Sequence, residues 1–81
     1  MTKRDKDLER LRQNPRSVRF EDLDKVLRRF GFEVSQPRSG SSHYVYKHGA
    51  YKLVVAKHEP FVHSKAVKAV IDILDEIADL S

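Results

Sequence analysis

An α+β fold, with two amphipathic helices on one face of a three-stranded antiparallel sheet and a short extra helix in front, is predicted by three patterns in the chain. Two segments repeat apolar residues with the period of a helix, two adjacent segments alternate with the period of a strand around a glycine, and Gly or Pro stands at the changes of period.

Residues 1–13 are almost all charged or polar, and only Leu8 and Leu11 supply a narrow apolar stripe for a short helix. That segment reads as a leader or appendage. Asn14-Pro15 breaks the chain, because Pro15 disfavours α conformation before it and donates no backbone hydrogen bond. The division expected is therefore a charged leader or short helix over 1–16 and a folded domain over 17–81.

Phe20, Leu23, Val26, Leu27 and Phe30 line one face of a helix that carries Arg28 and Arg29 in its last turn. Gly31 is suited to the left-handed residue that ends a helix, with Phe32 folding back as its apolar contact. Phe32-Glu33-Val34 begins a short strand, and Pro37, Gly40 and three serines mark a loop containing Arg38. Tyr44 and Tyr46 alternate with His43, Val45 and Lys47, His48-Gly49 supplies a turn, and Tyr51 to Ala56 forms the returning strand. Glu59-Pro60 breaks the pattern. From Ser64, a suitable N-cap, Val67, Val70, Ile71, Leu74, Ile77 and Ala78 share one helical face. This order of elements is also that of double-stranded RNA-binding domains, which by itself does not fix function.

Length restricts what such a domain can do. A chain of 81 residues removes only about 60–65% of its unfolded surface from water, so an enclosed small-molecule pocket would consume its core, and a site on an open face is expected. The absence of cysteine excludes disulfides and thiolate zinc sites and suits a reducing compartment. No apolar run reaches the roughly 20 residues that span a bilayer, and the start is charged rather than a hydrophobic signal core, so a soluble cytoplasmic protein with no membrane association is expected. Sixteen Lys and Arg against twelve Asp and Glu give a formal charge of +4 and a pI near 9.6. That excess suits a polyanionic partner such as RNA, and equally a surface solubilised by Lys and Arg.

The stretch Ser39-Gly40-Ser41-Ser42-His43-Tyr44-Val45-Tyr46 resembles the signature of HicA-family toxins, the small mRNA interferases of bacterial HicA–HicB toxin–antitoxin pairs, in which a Gly-Ser-His motif precedes an alternating aromatic strand. Phe30-Gly31-Phe32 upstream, the strand leading to His58, and Val67-Lys68-Ala69-Val70 in the terminal helix match in the same order, so the resemblance covers residues 17 to 80. Two positions depart from the family pattern: Ser41 stands at the motif glycine, with Gly40 displaced by one, and Ala56 precedes Lys57-His58 where many members carry proline. The resemblance implies a fold like that of double-stranded RNA-binding domains, a type II toxin that cleaves mRNA without the ribosome, and neutralisation by a HicB-like antitoxin.

Acid–base groups suffice for cleaving RNA: the 2′-hydroxyl loses a proton and attacks phosphorus, and the departing 5′-oxygen is protonated. An imidazole, with an unperturbed pKa of about 6.5, has both protonation states near neutrality, and a positioned acid or base is worth roughly 10² to 10⁴ in rate. His43 stands where a glycine- and serine-rich loop enters a strand, which combines access to a phosphate with a fixed ring direction, and is the expected catalytic residue. Arg38, Lys47 and Lys57, with Ser42 of the motif, are the expected phosphate ligands. His58 is open to three uses, a second proton-transfer group, a phosphate ligand or a cap on the strand end, and a supporting role is preferred. His48 reads as a turn residue and His63 as part of the loop before the last helix. Four histidines without cysteine or a helical His pair predict no metal site, and no cofactor is expected. Tyr44 and Tyr46 share a strand face, where core packing is preferred to stacking on bases. Arg12, Arg16 and Arg19 either extend an RNA or antitoxin footprint or form a solvated leader.

Two other functions fit the same composition. A non-catalytic RNA-binding module of this fold would bind salt-sensitively without product. An interaction protein for an acidic partner would form a tight complex and show no RNA affinity of its own. The expected partners of the leading reading are the mRNA substrate and the antitoxin, with the free protein a monomer.

Overall fold

The computed structural model describes residues 3–35 and 43–80, with three helices and one three-stranded antiparallel sheet in the order α1 (Lys3–Gln13), α2 (Phe20–Arg29), β1 (Glu33–Ser35), β2 (His43–His48), β3 (Tyr51–Ala56) and α3 (Ser64–Leu80). The α+β class and the order of elements agree with the sequence reading.

Helix α2 ends as its sequence requires. The Gly31 N–H donates to the Arg28 carbonyl at 3.0 Å and the Phe32 N–H to the Leu27 carbonyl at 3.0 Å, the paired bonds of a Schellman cap. Gly31 holds φ +94° there, and an added Cβ would meet the His48 ring at 3.1 Å. Phe32, 4% exposed, is the apolar residue that closes the cap.

The sheet order is β1-β2-β3. Val34 pairs with Tyr46 and Tyr46 with Leu53, while Tyr44 pairs with Val55, so these residues share the face that meets the helices. Tyr46, Leu53 and Val55 join Leu23, Leu27, Val67, Val70 and Leu74 in one core. By the same alternation Glu33, Ser35, His43, Val45, Lys47, Lys52, Val54 and Ala56 point away from it. Val54 on that face is 53% exposed.

Three local expectations are corrected. The hairpin turn is Gly49-Ala50, since His48 still pairs with Tyr51; Gly49 at φ +57° supplies the first central residue of a two-residue turn. His48 instead packs its ring 5.3 Å from that of Phe32 and donates from Nδ1 to the Gly31 carbonyl at 3.2 Å, locking the hairpin end to the α2 cap. The Val67 N–H donates to the His63 carbonyl, so Ser64 is already helical and the cap position falls on His63.

The third correction concerns α1, which is no appendage. Leu8 and Leu11 are 6% and 3% exposed within the main core. Asp7, also buried, pairs with Arg29 of α2, Arg12 pairs with Asp75 of α3, and the Arg4 guanidinium lies 5.3 Å above the Phe30 ring. A helix with only two apolar residues is thus held by their burial together with charged links to both neighbours.

Candidate active site at the open end of the sheet

The start of β2, the end of β3 and the start of α2 converge at one end of the molecule. Tyr44 places its ring 4.8 Å from Phe20, the first residue of α2, which ties β2 to that helix. The Val62 N–H donates to the Val18 carbonyl at 2.8 Å, which draws the segment after β3 against the segment before α2.

His43 is the first residue of β2, pairs with Ala56, and is exposed on the side of the sheet away from the helices. Its ring direction is set by a paired strand. Lys57 follows Ala56 directly and extends its ammonium over the Phe20 ring at 5.7 Å. His58 comes next, its ring 5.4 Å from that of His63 and nearly perpendicular to it. Cα atoms of paired strand residues lie about 5 Å apart and two further residues span at most ~7 Å, so His43 and His58 are within ~12 Å of one another.

Arg19, Phe20 and Glu21 face Lys57, His58, Glu59 and Pro60 across an open groove of about 240 Å³. Its cations are Arg19 and Lys57, its carboxylates Glu21 and Glu59, and its imidazole His58; the two cations are of the type that holds phosphate oxygens beside a proton-transfer group. Arg19 and His63 belong to this cluster although the sequence spacing gave no reason to join them to His43. The clasp between Val18 and Val62, with Lys57 over the Phe20 ring, brings their segments together.

Lys47 does not join it. It shares the outward face with His43 but lies four residues along β2, about 13 Å at strand spacing, where it pairs with Lys52 and Glu33. Arg38 and Ser42 lie outside the described residues. Of Arg12, Arg16 and Arg19, Arg12 is engaged by Asp75 and Arg19 borders the groove. Among the described residues no three His, Asp or Glu side chains are arranged to hold a metal ion, and no helix is long and apolar enough to cross a membrane.

The two strand tyrosines serve the core. Tyr46 is fully buried and its hydroxyl donates to Asp24 Oδ1 at 2.8 Å, while Asp24 Oδ2 accepts from Arg28 Nε at 3.0 Å. Burial, and then this hydrogen bond to a carboxylate, push the phenol pKa above its ordinary range. The bond fastens β2 to α2 and so steadies the strand that carries His43.

No protein-family model, curated protein or solved structure matches the chain.

Proposed function

We propose that this chain is the toxin of a type II toxin–antitoxin pair, a cytoplasmic mRNA endoribonuclease of the HicA kind, built on a fold like that of double-stranded RNA-binding domains. His43 exchanges protons with the substrate without a metal. It takes the proton of a ribose 2′-hydroxyl, whose oxygen attacks the adjacent phosphorus. The bond from phosphorus to the 5′-oxygen breaks, and that oxygen takes the proton back from the His43 imidazolium, giving a 2′,3′-cyclic phosphate and a 5′-hydroxyl end. Lys57 and His58 hold the phosphate, and Arg38 and Ser42 complete its binding. Lys47 touches the RNA backbone farther along the strand.

The observation that carries this reading is the exposure of His43 at the strand end adjoining Lys57 and His58, within a sequence that resembles the HicA motif. A buried ring would have closed it to a polymer. A HicB-like antitoxin is proposed to inhibit by seating on the outward face, where Val54 offers an apolar side chain beside His43.

The test is incubation of purified protein with synthetic RNA in the presence of a chelator. Wild type should release cyclic-phosphate ends, and His43→Ala should lose 10² to 10⁴ of the rate, roughly the worth of a positioned acid or base, while keeping its circular dichroism. Cleavage by His43→Ala at the wild-type rate overturns the assignment. Salt-sensitive binding with no product from wild type would replace it with a non-catalytic RNA-binding module.

A further inference from the structure

Opposite the outward sheet face, α1 and α2 run side by side with their charges sorted. Lys3, Lys6 and Arg10 occupy one flank of α1 at spacings of three and four residues, and face Lys25 and Arg29 of α2 across a groove. Asp7 and Asp22 are the carboxylates that line it, and Asp7 is taken up by Arg29. Five cations and two acids make a net +3, against +4 for the whole chain. Most of the molecule's formal excess is therefore concentrated in one place. The other flank of α1 has the reverse sign, since Asp5, Glu9 and Asp75 line a hollow there with Arg12. Lys and Arg spread for solubility would not sort in this way.

We infer that the groove between α1 and α2 binds the phosphodiester backbone of a nucleic acid, at a site separate from the His43 end of the sheet. Lys3, Lys6 and Arg10 rise about 4.5 and 6 Å along α1, a row of roughly 10 Å that matches about three phosphates of one strand. None of Lys3, Lys6, Arg10 or Lys25 takes part in the ion pairs Arg12–Asp75, Arg28–Asp24 and Arg29–Asp7. The floor is Leu11 and Val26, 3% and 6% exposed, so the groove offers no apolar anchor of the kind protein partners use. Among the described residues the exposed large apolar side chains are Val54 and Phe61, elsewhere on the molecule. A charged, linear and apolar-poor surface fits a polyphosphate better than an acidic polypeptide. The choice of RNA over DNA as the natural occupant rests on the ribonuclease reading. In that case the groove holds substrate remote from the cut.

Binding of labelled single-stranded RNA, and of DNA of the same sequence, is measured by fluorescence anisotropy over a series of salt concentrations, in a His43→Ala background that keeps the RNA whole. The triple substitution Lys3→Gln, Lys6→Gln, Arg10→Gln leaves Leu8, Leu11 and Asp7 in place. It should weaken binding and lower the slope of log affinity on log salt by about 2, at roughly 0.7 for each phosphate no longer neutralised. Lys65→Gln with Lys68→Gln on α3, also exposed, serves as the control and should leave the slope unchanged. RNA held more tightly than DNA identifies RNA as the occupant, and equal affinity identifies the backbone alone; both support the groove. A triple variant indistinguishable from the control overturns it, as does polyglutamate of matched length competing as well as RNA. If neither nucleic acid binds, the inference fails, and His43-dependent cleavage measured separately still decides the ribonuclease reading.

Discussion

Replacing Tyr46 with phenylalanine tests the link between core and site. The ring is fully buried and Phe fills the same space, so no cavity opens and only the 2.8 Å hydrogen bond to Asp24 is removed. Bonds to charged acceptors contribute about 1.5–3 kcal/mol. Asp24 keeps Arg28 at 3.0 Å and its side chain is 23% exposed, so the carboxylate is not stranded and the cost falls toward the lower end, about 1–2 kcal/mol at pH 7. For a domain of this size that lowers Tm by roughly 5–15 °C.

The pH dependence adds a second readout from the same side chain. The phenol pKa is raised in the folded chain, chiefly by burial and then by Asp24, and is about 10 when unfolded. Above pH 10 the unfolded chain releases a proton that the folded chain retains. Stability present in full below that pH is then lost as pH rises, by up to about 1.4 kcal/mol per pH unit. Tyr46→Phe abolishes that loss, so the gap between wild type and variant should narrow between pH 7 and pH 11. Urea unfolding followed by circular dichroism measures both quantities. A gap that stays constant over this range, or a cost near zero at pH 7, would refute the account of Tyr46.

Leu11→Ala should cost about 2–4 kcal/mol in urea unfolding, because its side chain is 3% exposed in the core; a loss below about 0.5 kcal/mol would return α1 to the status of an appendage. Gly31→Ala should destabilise by about 1–2 kcal/mol through its φ of +94° and the His48 ring at 3.1 Å, and His48→Ala should recover only the steric part, so full rescue would contradict the backbone contribution. A double-mutant cycle on Asp7→Ala and Arg29→Ala should return a coupling of about 0.5–1.5 kcal/mol, discounted because the Arg29 side chain is 45% exposed. The same cycle on the more exposed pair of Arg12 and Asp75 should return about 0–1 kcal/mol.

Where an element carries its own signal, sequence and structure agree. Helix α2 is legible because five apolar residues share a face and Gly31 supplies the one conformation its cap needs. The hairpin is legible because alternation over Tyr44 and Tyr46 and over Leu53 and Val55 leaves one register that buries them all. His48 misled because a histidine beside a glycine resembles a turn, whereas its ring is used to cover the α2 cap. Helix α1 misled for a related reason. Its anchoring to α2 and α3 depends on Asp7 meeting Arg29 and Arg12 meeting Asp75, and nothing in the local pattern of residues 3–13 shows those partners.

The site divides along the same line. His43 and the cation Lys57 are visible in the sequence as candidates, since residue type and position at a strand end are local properties. That Lys57 and His58 adjoin His43, that Arg19 borders the same groove as His58 while His63 packs against the His58 ring, and that Lys47 stands apart are consequences of strand pairing and of the Val18–Val62 clasp. The basic groove between α1 and α2 also exists only once two helices lie together, because Lys3, Lys6 and Arg10 come from one and Lys25 and Arg29 from the other. Periodicity, caps and turns thus determined which elements form. Long-range packing decided which charges meet, because a side chain's partners depend on which buried faces the core brings together and not on its neighbours along the chain.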